Sequence, residues 1–178
     1  MENFTNETIN TSQLPKFEEV TFTKLHPKYI RVVLINLLRI IVIVVLIPIL
    51  LSMLKPKLFS ARVWLILGIV IPVFSILLVV FSIIGCKKKG FAFREHDVLF
   101  KHGIIATNTI VIPYNRVQHV ALHEELISRY FGLAKIEIFT AGGSSSDIEI
   151  PGIEKEQAEN IKQLLMGKIQ KQLYGSRF

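Results

Sequence analysis

The chain has 178 residues, 51% of them hydrophobic, and a formal net charge of +7, which leaves room for one ordinary domain plus a membrane segment and excludes two large domains. The whole excess precedes Gly90, where eleven basic residues face four acids; from Gly90 onward ten basic and ten acidic residues cancel. A basic excess confined to the flanks of apolar runs suits anionic lipid head groups and argues against a nucleic-acid-binding role.

Residues 1–29 read as a polar N-terminal tail with no apolar h-region, so no cleavable signal peptide is expected. Asn3-Phe4-Thr5, Asn6-Glu7-Thr8 and Asn10-Thr11-Ser12 are glycosylation sequons in form, relevant only to a eukaryotic chain with an external N-terminus; an Asn- and Thr-rich disordered tail gives the same triplets by chance.

Residues 30–86 read as a transmembrane helical hairpin. The first span covers about Val32 to Leu54, with Asn36 and Arg39 toward its N-terminal end, where an arginine snorkels to the head groups. The second, Val63 to Ile84, carries no charge and is long enough to cross about 30 Å of hydrocarbon. Pro48 and Pro72 sit mid-span, positions that membrane helices tolerate or use as kinks. The loop from Lys55 to Arg62 is too short to be a domain, so both chain ends lie on one side. Lys16, Lys24, Lys28, Arg31, Lys87, Lys88, Lys89 and Arg94 outnumber Lys55, Lys57 and Arg62, which places both termini in the cytoplasm. Cys86, the single cysteine, closes the second span as a small apolar residue, or offers a palmitoylation position in a eukaryote. Lys87, Lys88 and Lys89 are candidates for lipid head-group contact, or simply a topology-setting flank.

Residues 90–174 switch to the period-two pattern of half-buried strands. Strands are expected at Phe91–Arg94, Val98–Lys101, Thr109–Pro113, Val117–Leu122, Lys135–Phe139 (Ile136 and Ile138 inward) and Asp147–Ile150, the last ending before Pro151-Gly152. Glu124–Phe131 is expected to be a short helix with Ile127, Tyr130 and Phe131 on one face and Gly132 as its C-cap. A final amphipathic helix starts near Glu154 and presents Ala158, Ile161, Leu165 and Ile169, widened by Leu164 and Leu173.

The stretch Ile112-Pro113-Tyr114-Asn115-Arg116-Val117-Gln118-His119-Val120, a short helix, then Arg129-Tyr130-Phe131-Gly132-Leu133 and the Lys135–Phe139 strand resemble the bacterial pleckstrin-homology (YdbS-like) family. The resemblance runs from about Leu25 to Leu173 and takes in the preceding hairpin. It implies an α+β chain: a two-helix transmembrane hairpin, then a pleckstrin-homology-like split β-barrel of six to seven antiparallel strands with a C-terminal helix. The location it implies is a membrane, here the bacterial cytoplasmic membrane. It brings no established molecular activity.

Chemistry-bearing constellations are sparse. His119 and His123 would share a metal only on a helix; on a strand, residues four apart stand about 13 Å from each other. No Gly-x-Ser-x-Gly elbow or P-loop occurs, so neither catalysis nor a cofactor is expected. The first hairpin balances Arg94 and Lys101 with Glu95 and Asp97, which argues against specific phosphoinositide recognition. Arg116 is expected either to bond the Glu124-Glu125 turn or to form part of a partner-binding edge. Gly142, Gly143, Ser144 and Ser145 form a hairpin loop suited to partner contact. The expected role is a non-enzymatic scaffold that binds a protein partner or another copy of itself; a sensor of anionic membrane lipids is the alternative, and an enzyme acting on lipid or peptide a remoter one.

Overall fold

The computed structural model describes residues 20–141 and 148–175, with side chains described as far as residue 170. The sequons and residues 142–147, including Gly142, Gly143, Ser144 and Ser145, lie outside the described residues.

Two helices, α1 (Tyr29–Leu54) and α2 (Ala61–Lys88), are joined through a 3-10 turn at Pro56–Leu58. At 1.5 Å per residue each is roughly 40 Å long, more than a hydrocarbon layer requires. Only Val32 and Leu37 of α1 are buried, and nothing in α2. Two helices cannot cover each other all round, so their leucines, isoleucines and valines face outward to what must be an apolar solvent. Hydroxyls within the spans are satisfied locally: Ser52 Oγ donates to Ile49 O and Ser75 Oγ to Ile71 O, both at 2.7 Å.

The rest is a split barrel of two antiparallel sheets. One is ordered β1-β2-β3-β4, from Thr23–Lys24, Gly90–Phe93, Asp97–His102 and Asn108–Pro113; the other is β5-β6-β7, from Val117–His123, Leu133–Thr140 and Ile148–Glu154. A 3-10 turn at Tyr114–Arg116 carries the chain between them. Period-two burial follows the alternation in sequence: Ile136 and Ile138 are fully buried, and Val98, Ile148 and Ile150 join them in one core. Helix α4 (Lys155–Gly175) closes the barrel by burying Ala158 and Leu165 completely, with Ile161 and Ile169 packed beside them. Leu164 is half exposed, so the stripe is narrower than expected on that side; the side chain of Leu173 lies outside the described residues.

Tyr114, the largest fully buried side chain, donates its hydroxyl to Arg94 O at 2.8 Å. Burial, reinforced by the Asp97 carboxylate, pushes its pKa up to about 12.

Three features depart from expectation. The polar tail does not run free up to the first span. Thr23–Lys24 adds a short strand to β2, Leu25 enters the core, and His26 N donates to Gly152 O at 2.9 Å. Strand β7 runs through Pro151-Gly152 to Glu154 instead of stopping at Ile150. As an edge strand it tolerates a residue without an N–H, and a bulge between Ala134 and Ile136 absorbs the irregularity. Gly152 adopts φ 65°, and a Cβ there would stand 2.4 Å from Tyr29 Cγ; the first residue of α1 is thus seated directly on the barrel. Third, α3 spans only Leu126–Tyr130 and turns Tyr130 outward, at 85% exposure, with Leu126 at 87%. Ser128 and Ile127 take the inward positions, because α3 packs between β6 and the start of α1 and its outer face has no protein above it. Gly132 closes it as expected, its N–H donating to Arg129 O.

Candidate functional site

Two separate features in the barrel gather chemically useful groups outside the core. The first lies at the seam between the sheets. Strand β4 is the last of its sheet and β5 the first of the other, so the sheets part between them. A cleft of about 340 Å³ opens there, lined by Ile110, Val111, Ile112, Pro113, Arg116 and Thr140. Ile112 and Ile110 lean toward the core while Val111 is 44% exposed. Arg116 is exposed and makes no ion pair among the described residues. The bond to the Glu124-Glu125 turn weighed for it is not made; Glu124 instead pairs with Lys155 Nζ at 3.0 Å. The physical cause is topological, since the 3-10 turn places Arg116 at one end of β5 and Glu124 follows the other. Arg116 O accepts from Ala141 N at 3.1 Å, so Arg116 stands beside the end of β6.

The second feature is at the foot of α2. Lys87, Lys88 and Lys89 project where the helix leaves its apolar stretch, and they line a cleft of about 330 Å³ together with Phe22, Lys24, Gly90, Lys101 and Thr107. Sequence reasoning found the first three lysines but not Lys24 or Lys101. Nothing local signals those two: they converge because Lys24, Gly90 and Lys101 are direct cross-strand partners in β1, β2 and β3, and residues opposite one another share a face. Lys89 also borders a neighbouring polar cavity with Glu125, Ser128, Lys135 and Glu149.

The histidines are spread out. His119 stacks on the Phe139 ring at 4.1 Å, and His123 Nε2 lies 3.3 Å from Glu137 on the outer face of the second sheet. Lys135 Nζ bonds the same Glu137 at 2.6 Å and approaches Glu149 at 3.6 Å. The hydrogen bond from Lys135 holds the Glu137 carboxyl below the usual carboxylate range, and the same bond raises the Lys135 ammonium. His102 stacks on Phe100, and its Nδ1 is buried without a partner among the described residues. No group of three metal-ligating side chains occurs among the described residues.

The model of the bacterial PH domain family matches residues 29–169, most of the chain, helices included. The chain is 30% identical over 100 residues to the UPF0699 transmembrane protein YdbS of Bacillus subtilis (strain 168), covering 56% of this chain and 57% of that one. It is 28% identical over 102 residues to the UPF0699 transmembrane protein YdbT of the same organism, covering 57% of this chain and 21% of that one. It therefore spans little more than half the length of the first relative and about a fifth of the second. No solved structure matches. Transmembrane relatives and two long lipid-suited helices together make this a membrane protein.

Proposed function

The chain belongs to the bacterial PH domain family, and from that premise we propose that it is a non-enzymatic scaffold of the bacterial cytoplasmic membrane whose β4 edge captures an extended segment of a partner protein. Both termini lie in the cytoplasm, in keeping with the lysine- and arginine-rich flanks on the barrel side of the helices. The observation that carries the reading is the seam cleft: a terminal strand, apolar walls at Ile110 and Val111, and the exposed guanidinium of Arg116, which has no ion-pair partner among the described residues. A terminal strand offers backbone donors and acceptors to an added strand, and alternate side chains give specificity. Arginine binds a carboxylate through two parallel N–H donors, so the favoured segment carries an acidic residue or a terminal carboxylate near the Arg116 end.

A photo-crosslinking residue at Val111, in the full-length protein in its native membrane, tests this. The expected product is a discrete protein adduct that disappears when Arg116→Glu is added, with the amount of protein in the membrane unchanged. An adduct to a second copy of the chain would make the captured segment its own. Adducts to lipid alone, or an adduct indifferent to Arg116→Glu, would overturn the proposal.

A further inference from the structure

The lysine cleft at the foot of α2 carries an inference independent of the partner edge. Lys24, Lys87, Lys88, Lys89 and Lys101 come from three elements far apart in sequence and line one cleft without an acidic residue in its wall. None of the five makes an ion pair among the described residues. Lys24 and Lys101 are two strands apart on one face, about 10 Å by strand spacing. Like charges held this close repel; the Phe22 ring, 5.5 Å from Lys101 Nζ, offsets one of them in part, and no carboxylate in the wall neutralises the rest. A bound anion would.

Where the cleft sits decides which anion. Ile83 and Ile84 are the last large apolar residues of α2 before Cys86 and the lysines, so the cleft opens at the depth of lipid head groups. The β3–β4 loop beside it is fastened to the same helix. Ile104 fills the space left by Gly85, where a Cβ would lie 3.2 Å from Ile104 Cδ1, and Lys88 Nζ donates to Ile104 O at 2.7 Å. Gly103, at φ 114°, makes the turn so tight that a Cβ would stand 1.9 Å from Ala106 O, a position only glycine fills. Ile105, two residues after Gly103, is 95% exposed. A bare isoleucine pinned one helical turn from the apolar span belongs in acyl chains rather than in water. Across the helix pair, the exposed Leu126 and Tyr130 of α3 stand near the start of α1, a position where tyrosine favours the membrane–water boundary.

We infer that this cleft is a binding site for the phosphate head group of an anionic phospholipid, framed on its membrane side by a loop that inserts Ile105 into the bilayer. The ammonium groups surround the phosphate, and the inserted loop holds the cleft against the leaflet, so the site reads the charge of the membrane in which the protein is embedded. This site is not the tip of the β2–β3 hairpin, where Arg94 is bonded to Asp97 at 2.6 Å and so is already neutralised.

The test uses the full-length protein in mixed micelles of phosphatidylglycerol and phosphatidylcholine, with retained lipid counted by native mass spectrometry. The expected result is a preference for phosphatidylglycerol that falls with salt. The double variant Lys24→Gln/Lys101→Gln should weaken it by about tenfold, since a lysine near the surface contributes roughly fivefold each at most. Lys24→Arg/Lys101→Arg should keep it. The two lysines lie outside the helices, so Lys87–Lys89 still set the topology. No preference, or a preference indifferent to Lys24→Gln/Lys101→Gln, would overturn the site; so would inorganic phosphate binding at the cleft without any enrichment of phosphatidylglycerol. The loop is read separately by placing tryptophan at Ile105 in a Trp64→Phe background. Quenching by lipids brominated in the acyl chain is expected, and its absence would overturn insertion.

Discussion

The barrel holds its charges in two opposite ways. On the outer face of β5–β7, Lys135 stands between the carboxylates of Glu137 and Glu149 at 2.6 and 3.6 Å, and His123 lies 3.3 Å from Glu137. In the cleft at the foot of α2, five lysines share one wall with no acid in it. The first region is self-sufficient and serves the sheet. The second is electrostatically incomplete and gains stability only from something added. Charged residues that the fold has already paired are poor candidates for binding, however prominent in sequence, and those it leaves unpaired are the better ones.

The sharpest way to break this contrast is to reverse a charge in the first region and remove one in the second. Glu137→Lys would set a lysine against Lys135 and His123 on a largely covered face, and should destabilise the domain by about 2–3 kcal/mol. Lys101→Gln should leave stability within about 0.5 kcal/mol, because the repulsion it relieves offsets the loss of the ammonium's contact with the Phe22 ring. Thermal unfolding of the two variants in the same lipid composition measures the difference, and equal losses would erase the distinction.

Acid provides a smaller version of the same comparison. The folded Glu137 carboxyl titrates below its ordinary value of 4.5 because Lys135 bonds it. Its contribution is therefore fully present above about pH 4.5 and is lost as pH falls through the lowered folded value, for an expected loss of about 1 kcal/mol. Lys135→Met should shrink that step, since the largest cause of the lowered value is the Lys135 bond while His123 stays in place. The lysine cleft has no carboxylate in its wall to protonate and should keep its preference for phosphatidylglycerol across the same interval. Lipid retention and unfolding followed together from pH 6 downward separate the two.

Alkali probes the core instead. Tyr114 is buried with a folded pKa near 12 against an ordinary 10.0. The unfolded chain loses this proton first, so stability should fall as pH rises from about 10 toward 12, by about 2 kcal/mol. Tyr114→Phe should remove Tyr114's share of the alkaline decline, at the loss of about 1 kcal/mol for the bond to Arg94 O at neutral pH.

Much of this molecule was legible residue by residue. The two spans, the inward Ile136 and Ile138, the Gly132 cap and the Ala158–Leu165 stripe of the last helix all follow from period and local chemistry. The outward turn of Tyr130 was not legible, because a five-residue helix has too little length for its pattern to name a buried face. Neither was the strand at Thr23–Lys24, two residues inside a polar stretch whose pairing is supplied by Gly90 and Phe91, more than sixty positions away. Of the candidate residues, Arg116 and Lys87–Lys89 were visible as exposed charge in a motif and in a flank.

The sequence by itself determined that the chain enters a membrane, how many times it does so, and that a period-two domain follows. Those are properties of runs and periods, written in neighbouring residues and enforced by hydrophobic transfer and backbone hydrogen bonding. Only the tertiary structure decided which charges would be spent on one another and which would remain. That outcome depends on cross-strand register: it brings Lys24 opposite Gly90 and Gly90 opposite Lys101, sets Glu137 against Glu149 beside Lys135, and carries Arg116 away from Glu124. Register is fixed by the packing of the whole core, so no local stretch of sequence contains it.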